Sequence, residues 1–369
     1  MKIPFVDLKA QYKSIKSEIN TAIQKVISET AFIKGEYVDE FESRYANAYC
    51  VKHCIGVANG TDAIYIVLKM LGIGHRDEVI TVANSWISTS EAISQTGAKP
   101  VFVDIEPDYF TIDPDKIEEK ITPKTKAVLP VHLYGQSARM DKIKTICEKH
   151  DLFLVEDCAQ AHFAEFNGTK IGLFGNAGAF SFYPGKNLGA YGDAGAIITN
   201  DDNLAIKVRM YANHGALKKH HHEFEGINSR LDGIQAAILT VKLSYIEEWN
   251  KRRLRNANLY NELLAEIPQV VCPSIRHNFS HVFHLYVIRT DNRDRLREYL
   301  SNKGIETAIH YPTILPLLPA YKYLEHIPEQ FPIASQYQDS ILSLPMFAEL
   351  RPNQIKYIVE QIIKFVRNN

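Results

Sequence analysis

Apolar positions along the chain follow two rhythms. Near the start, Ile15, Ile19, Ala22, Ile23, Val26 and Ile27 recur at i, i+4, i+7, i+8, i+11 and i+12, the spacing of one helix face. From residue 54 onward short apolar runs take over, at 54–57, 78–82, 100–105, 127–133, 152–156, 178–183 and 194–199. Most of them do not alternate with polar residues, which predicts strands buried on both faces. Helical patterns lie between them, for instance over 63–71 and 140–150. This alternation predicts an α/β fold, doubly wound around a mostly parallel sheet of about seven strands. After about residue 200 the strand rhythm fades. A long helical tract over 231–264, with Asp232 as its candidate cap, gives way to the proline-bounded stretch 267–273. A smaller α+β segment follows, read as strand 282–289, helix 293–303, strand 306–310, a proline-rich loop 312–319 and a closing helix 352–366. The chain is thus expected to divide into a large domain, 1–250, which includes the N-terminal helical segment, and a small C-terminal α+β domain, 251–369.

Composition narrows the classes. Of 369 residues 46% are hydrophobic and 23% charged, as in ordinary globular chains. Lys plus Arg number 42 and Asp plus Glu 43, a net charge of −1. Sequence-independent nucleic-acid binding needs a clustered cationic excess, so no nucleic-acid partner is expected. Any anionic ligand must be held by a few placed groups. No apolar leader and no run long enough for a bilayer span occurs, so a cytoplasmic protein without a membrane partner is expected. The five cysteines are odd in number and contain no Cys-x-x-Cys, which argues against a disulfide framework or a zinc ribbon. Cys50 and Cys54 are expected as buried thiols.

In open α/β sheets ligands bind at the carboxyl ends of the strands. The run ending in Glu156 and Asp157 places two acids there, with Gln160 and His162 just beyond. A glycine-dense loop between the last two runs carries a single lysine, Lys186, among Phe, Tyr and Pro. Such a lysine is costly to bury unless it is paired or used covalently, and burial makes it a nucleophile. Asn187 follows it where a P-loop needs Ser or Thr, and no G-x-G-x-x-G follows the first strand. Tyr183 and Lys186 are three apart, one short of the Tyr-x-x-x-Lys of short-chain dehydrogenases. Gly60 and Thr61 stand at a strand–turn–helix junction that suits an anion. Trp86, just past another strand, could stack on a planar ring. A phosphate cradle, an aromatic plate, an acid, a serine and a lysine in that order are what pyridoxal phosphate (PLP) requires.

The segments 59–63 (NGTDA), 156–162 (EDCAQAH), 181–195 (SFYPGKNLGAYGDAG) and 228–232 (NSRLD) resemble the DegT/StrS-type nucleotide-sugar aminotransferases. The resemblance covers essentially the whole chain. It implies a fold type I PLP enzyme that works as a homodimer. It also implies Lys186 as the Schiff-base lysine and proton shuttle, Asp157 as the partner of the pyridine nitrogen, and Gln160 beside the ring hydroxyl. Gly60, Thr61 and Ser181 would hold the phosphate, Trp86 would stack on the ring, and Asn228 would reach the other subunit's phosphate. His162, Tyr183, His310 and Tyr311 are similar to positions facing the sugar, and Lys218 and Lys219 could meet its diphosphate. The run His220–His222 departs from the family pattern, and no metal is expected there because consecutive histidines do not share a face. The lysine loop looks most like the branch that moves an amino group from L-glutamate to C3 of a dTDP-3-oxo-6-deoxyhexose, for surface-glycan (lipopolysaccharide or O-antigen) or natural-product sugars. Reaction at C4, a UDP- or GDP-linked sugar, and a non-catalytic regulator on the same fold stay open as alternatives.

Overall fold

A computed structural model describes residues 1–368. Seven strands form the central sheet: β1 (His53–Val57), β2 (Glu78–Val82), β3 (Lys99–Val103), β4 (Thr125–Leu129), β5 (Phe153–Asp157), β8 (Ala177–Ser181) and β9 (Gly195–Thr199). Between β5 and β8 lies a two-residue hairpin, β6 (Glu165–Phe166) with β7 (Thr169–Lys170). The spatial order is β1-β9-β8-β5-β4-β2-β3. The strands from β8 through β5, β4 and β2 to β3 pair in parallel, and β9 runs antiparallel to both of its neighbours. All seven expected runs are therefore strands of one mostly parallel sheet. β9 reverses because a loop without a crossover helix joins it to β8, and such a connection suits antiparallel neighbours.

Both faces of the sheet are covered, which is why the strands read as unbroken apolar runs. Ile55, Val57, Ala177, Ala179 and Ile197 pack with Ile64, Val67 and Val208 on one face. Cys54, Phe180, Ala196 and Ile198 pack on the other with Phe41, Tyr45, Tyr49 and Leu239. Phe41, Tyr45 and Tyr49 belong to a helix, Glu36–Tyr49, that the periodicity reading passed over. Cys50 closes that helix in the left-handed conformation with its side chain exposed, so only Cys54 of that pair is a buried thiol.

The expected N-terminal helix, with its apolar face from Ile15 to Ile27, is Lys16–Ser28, and a shorter one, Leu8–Ser14, precedes it across Ile15. The expected tract 231–264 is two, Gly233–Leu243 and Ile246–Leu264. Asp232 sits at the cap position without a side-chain hydrogen bond. The break is a tightened turn, where the Ser244 and Tyr245 amides reach back only three residues, to Val241 and Lys242.

Beyond that break, β10 (Tyr286–Arg289) pairs antiparallel with β11 (Ile341–Leu344). The expected strand 306–310 contributes only a single bridge, Ala308 to Ser343, beside the prolines that follow it. β11 takes the place expected of it. Phe283, Tyr286, Ile288, Leu342 and Leu344 share a core with Tyr260, Leu264, Ile358 and Ile362. Ile3 joins this core, held by hydrogen bonds to Gly304 and Glu306, so the first residues belong with the C-terminal segment. Among the described residues, no helix is long and apolar enough to cross a membrane.

Candidate active site

The carboxyl ends of β1, β5 and β8 meet the amino ends of two helices, Gly60–Met70 and Ser88–Gln95. Asn59 caps the first, its Oδ1 accepting the Asp62 amide at 2.8 Å. The space is close-fitted: a Cβ on Gly60 would lie 2.6 Å from the Ser181 Cβ, and one on Gly195 would lie 2.4 Å from the Asn59 carbonyl oxygen. Only glycine lets β8, β9 and this helix end approach so nearly. Thr61 Oγ1 donates to Ser88 Oγ at 2.8 Å, tying the two helix starts together. Free amides at such a helix start favour an anion. Gly60, Thr61 and Ser181 are thus brought together as expected, and Ser88 joins them.

Asp157 ends β5 and is 5% exposed. Its Oδ2 accepts from Thr89 Oγ1 at 2.8 Å and its Oδ1 from the Ala159 amide at 3.1 Å. Thr89 has given its proton to Asp157, so Ser85 Oγ, 2.8 Å away, donates to Thr89. Burial raises the Asp157 carboxyl above the usual range; the Thr89 bond, the Ala159 amide and the charge of Lys186 pull it back. Lys186 feels the converse. Burial lowers its ammonium to about 8, and Asp157 opposes that. Its amine makes no hydrogen bond among the described residues.

Glu156, one residue earlier, points the other way and has a different task. Its carboxylate accepts from the amides of Gly172, Phe174 and Gly175 at 2.7–3.1 Å and meets His132 Nε2 at 3.0 Å. His132 Nδ1 accepts the Ala138 amide, so Nε2 carries the proton donated to Glu156. Cys158 brings its thiol within 4.8 Å of these groups, yet their lone pairs and protons are already committed to hydrogen bonds. The cluster is an internal brace for the segment 172–175.

Gln160 Oε1 accepts the Tyr134 amide at 2.8 Å, and its Nε2 donates to the Tyr311 hydroxyl at 3.0 Å. Tyr134 Oη donates to the His310 carbonyl and accepts from Asn84 Nδ2 at 3.3 Å. Gln160, His310 and Tyr311 are therefore neighbours, and the ring of Tyr311 lies 5.7 Å from that of Trp86. Trp86 is 58% exposed and Tyr183 60%. His310 Nδ1 meets Ser343 Oγ at 2.8 Å, and burial lowers its imidazole to about 4.

His162 is placed differently from the other expected sugar-facing residues. It is fully buried, stacks on Phe182, and spends one ring nitrogen on Tyr45 Oη and the other on the Ser181 carbonyl. It props the strand that carries Ser181 and faces no open space. Lys218, Lys219 and His220–His222 lie on an exposed loop, where His222 Nδ1 reaches the His214 carbonyl. Asn228 is exposed next to that loop, its backbone bridged to Asn213. Thr89, Ser85, Ser88 and Tyr134 were not singled out from the sequence. Ser88 and Thr89 stand at the start of the helix that follows Trp86, with Ser85 just before it, positions that a search for hydroxyls at helix starts near strand ends would have reached.

Comparison with known proteins meets this geometry from outside. Residues 13–363 match the DegT/DnrJ/EryC1/StrS aminotransferase family. The chain is 46% identical over 370 residues to a "pleiotropic regulatory protein" of Geobacillus stearothermophilus, covering all of both chains. It is 43% identical to a dTDP-3-amino-3,6-dideoxy-alpha-D-galactopyranose transaminase of Aneurinibacillus thermoaerophilus, over 98% of this chain and 99% of that one. The crystal structure of S. venezuelae DesV in complex with a ketimine intermediate superposes with a TM-score of 0.97 at 41% identity, over 99% of this chain and 98% of that one. The residues fit the cofactor such enzymes use. The glycine cradle leaves no room for a Cβ, the Lys186 amine is free of hydrogen bonds among the described residues, and a buried carboxylate stands by. The chain belongs to the DegT/DnrJ/EryC1/StrS aminotransferase family and is a PLP-dependent aminotransferase of fold type I.

Proposed function

We propose that the protein moves an amino group from L-glutamate to C3 of a dTDP-3-oxo-6-deoxyhexose, giving a dTDP-3-amino-3,6-dideoxyhexose of glucose or galactose configuration. The observation that carries the reaction type is the juxtaposition of a lysine lowered to about 8 with a buried, hydroxyl-anchored carboxylate beside a helix-start cradle. The substrate follows the Aneurinibacillus relative and the wording of the lysine loop.

PLP, when bound, supplies a conjugated ring that accepts the electron pair released at the substrate carbon. Lys186 would hold its aldehyde carbon, and near pH 8 a useful fraction of this amine is neutral and nucleophilic. When not holding the cofactor, the same amine would take a proton from the donor carbon and later return one, as base and then acid. Asp157 would face the ring nitrogen and keep its proton, with Thr89 and Ser85 fixing the carboxylate's direction. Gly60, Thr61, Ser88 and Ser181 would receive the phosphate. Gln160 would stand beside the ring hydroxyl. Trp86 would cover the ring, and His310 with Tyr311 would line the sugar side.

The exposed Asn228, Lys218 and Lys219 support a homodimer in which this loop serves the other subunit's site and meets the nucleotide diphosphate. A cytoplasmic location, a role in surface-glycan or natural-product sugars, and a division into domains near residue 250 belong to the same reading. Mass spectrometry and NMR of the product from glutamate and either dTDP-3-oxo-6-deoxy-glucose or -galactose test it. Borohydride should fix the cofactor to Lys186 in the wild type, and Lys186→Ala should show no fixed adduct and no turnover. The Geobacillus relative's name favours one second reading, a regulator that binds without turnover. Failure to form α-ketoglutarate from glutamate with any dTDP-, UDP- or GDP-linked keto sugar would support that reading instead.

A further inference from the structure

The loop that carries Lys186 is closed at its base by backbone hydrogen bonds, Phe182 N to Ala194 O and Ala190 N to Phe182 O, each 2.8 Å. Inside it, the Lys186 amide turns back to the Tyr183 carbonyl at 2.8 Å. Gly189 lies so near the chain that a Cβ there would sit 2.4 Å from the Pro184 carbonyl oxygen. The backbone path at Gly189 therefore governs where the preceding residues point.

Two side chains of the helix Gly233–Leu243 grip that path. Gln235 Oε1 accepts the Tyr191 amide at 2.8 Å. Lys242 Nζ donates to the Gly189 carbonyl at 2.6 Å and lies 4.2 Å from the centre of the Tyr191 ring. Positions i and i+7 share a helix face, so one face holds both residues. Lys242 is wholly buried and, among the described residues, forms no ion pair within 4 Å. An apolar side chain of similar size would fill this place with less desolvation. Burial lowers its ammonium to about 7 against the opposing charge of Glu349, and either protonation state keeps an N–H for Gly189.

We propose that Lys242, seconded by Gln235, is a positioning residue for Lys186: it clamps the Gly189 carbonyl and so aims the Lys186 amine at the cofactor. This rests on Lys186 being the residue that holds PLP. Lys242 contacts the Gly189 carbonyl and the Tyr191 ring, not the Lys186 or Asp157 side chains. Its loss acts through the aim of another amine, and misplacement on the scale of 1 Å is enough to cost about 100-fold in rate.

The test uses the PLP-loaded protein and the variants Lys242→Met, Lys242→Arg and Gln235→Leu. Lys242→Met should keep the thermal midpoint of the cofactor-free protein. It should release PLP about tenfold faster on dilution, followed by visible absorbance, and lower kcat by about 100-fold with KM unchanged. Lys242→Arg should restore a large part of both, and Gln235→Leu should show the same pattern more weakly. PLP release and kcat within twofold of wild type in Lys242→Met overturn the proposal. If that variant does not fold, the same result in Gln235→Leu overturns it. A wild type without a borohydride-fixed adduct at Lys186 would instead remove the proposed function. With that adduct present, only the variants decide the positioning role.

Discussion

Around Asp157 the polar side chains are tied to one another, whereas Trp86, Tyr183, Lys218, Lys219 and Asn228 stand in solvent. The floor is finished within one chain: Ser85 holds Thr89, Thr89 holds Asp157, and Gln160 is fixed from both ends by Tyr134 and Tyr311. In the proposed dimer the rim would be formed by these cations, this amide and the aromatic faces, with little in one chain to hold them. A rigid floor keeps reacting atoms in place, while a rim so exposed is suited to be completed by ligand or partner. Chemistry should therefore be sensitive to the floor, and binding to the rim.

The largest break in that contrast should come from Asp157→Asn. Loss of a charge at the ring nitrogen's place should lower kcat by about 10²–10⁴-fold in a steady-state assay, with PLP still bound. Glu156→Gln, at the adjacent residue, should do the opposite. It puts an amide where four donors converge, and should destabilise the fold by about 3 kcal/mol in denaturant unfolding while the visible absorbance of any folded, loaded protein stays unchanged. Equal effects of the two on kcat would erase the distinction between reactive and bracing acid.

The pH dependence sharpens the same contrast. Lys186 is lowered from 10.5 to about 8, so its neutral, nucleophilic form grows as pH rises toward 8 and saturates above it. Capture of PLP by the cofactor-free protein should therefore rise about tenfold per pH unit below 8 and level off beyond, measured by stopped-flow absorbance. A flat profile from pH 6 to 9 would contradict the burial of this amine. The smallest effect belongs to the rim. Lys218→Ala with Lys219→Ala should raise KM for the nucleotide sugar several-fold, leave kcat alone, and lose its effect at high salt because exposed charges are screened. A fall in kcat of the same size would move this loop from rim to floor.

The seven strands were legible because burial on both faces leaves continuous apolar runs, a local signal. The lysine loop was legible by its resemblance to one family, and Asp157 by its place at the end of an apolar run. Where the signal was non-local, the reading missed. β11 is four residues that read as one more apolar stretch until β10 lies beside them. The break at Ser244 leaves the helical period almost in step on both sides. The resemblance placed His162 facing the sugar, but the chain turns it into the aromatic core against Phe182 and Tyr45.

By itself, then, the sequence determined the α/β class, since periodicity is a property of neighbouring residues, and its resemblance to one family carried the expectation of the cofactor. Only the tertiary structure decided that Thr89 orients Asp157, that Glu156 braces rather than reacts, that His162 is a core residue, and that Lys242 reaches Gly189 across 53 positions. Those contacts are hydrogen bonds between segments far apart in the chain. No local pattern records them, because their partners are chosen by how strands and helices pack.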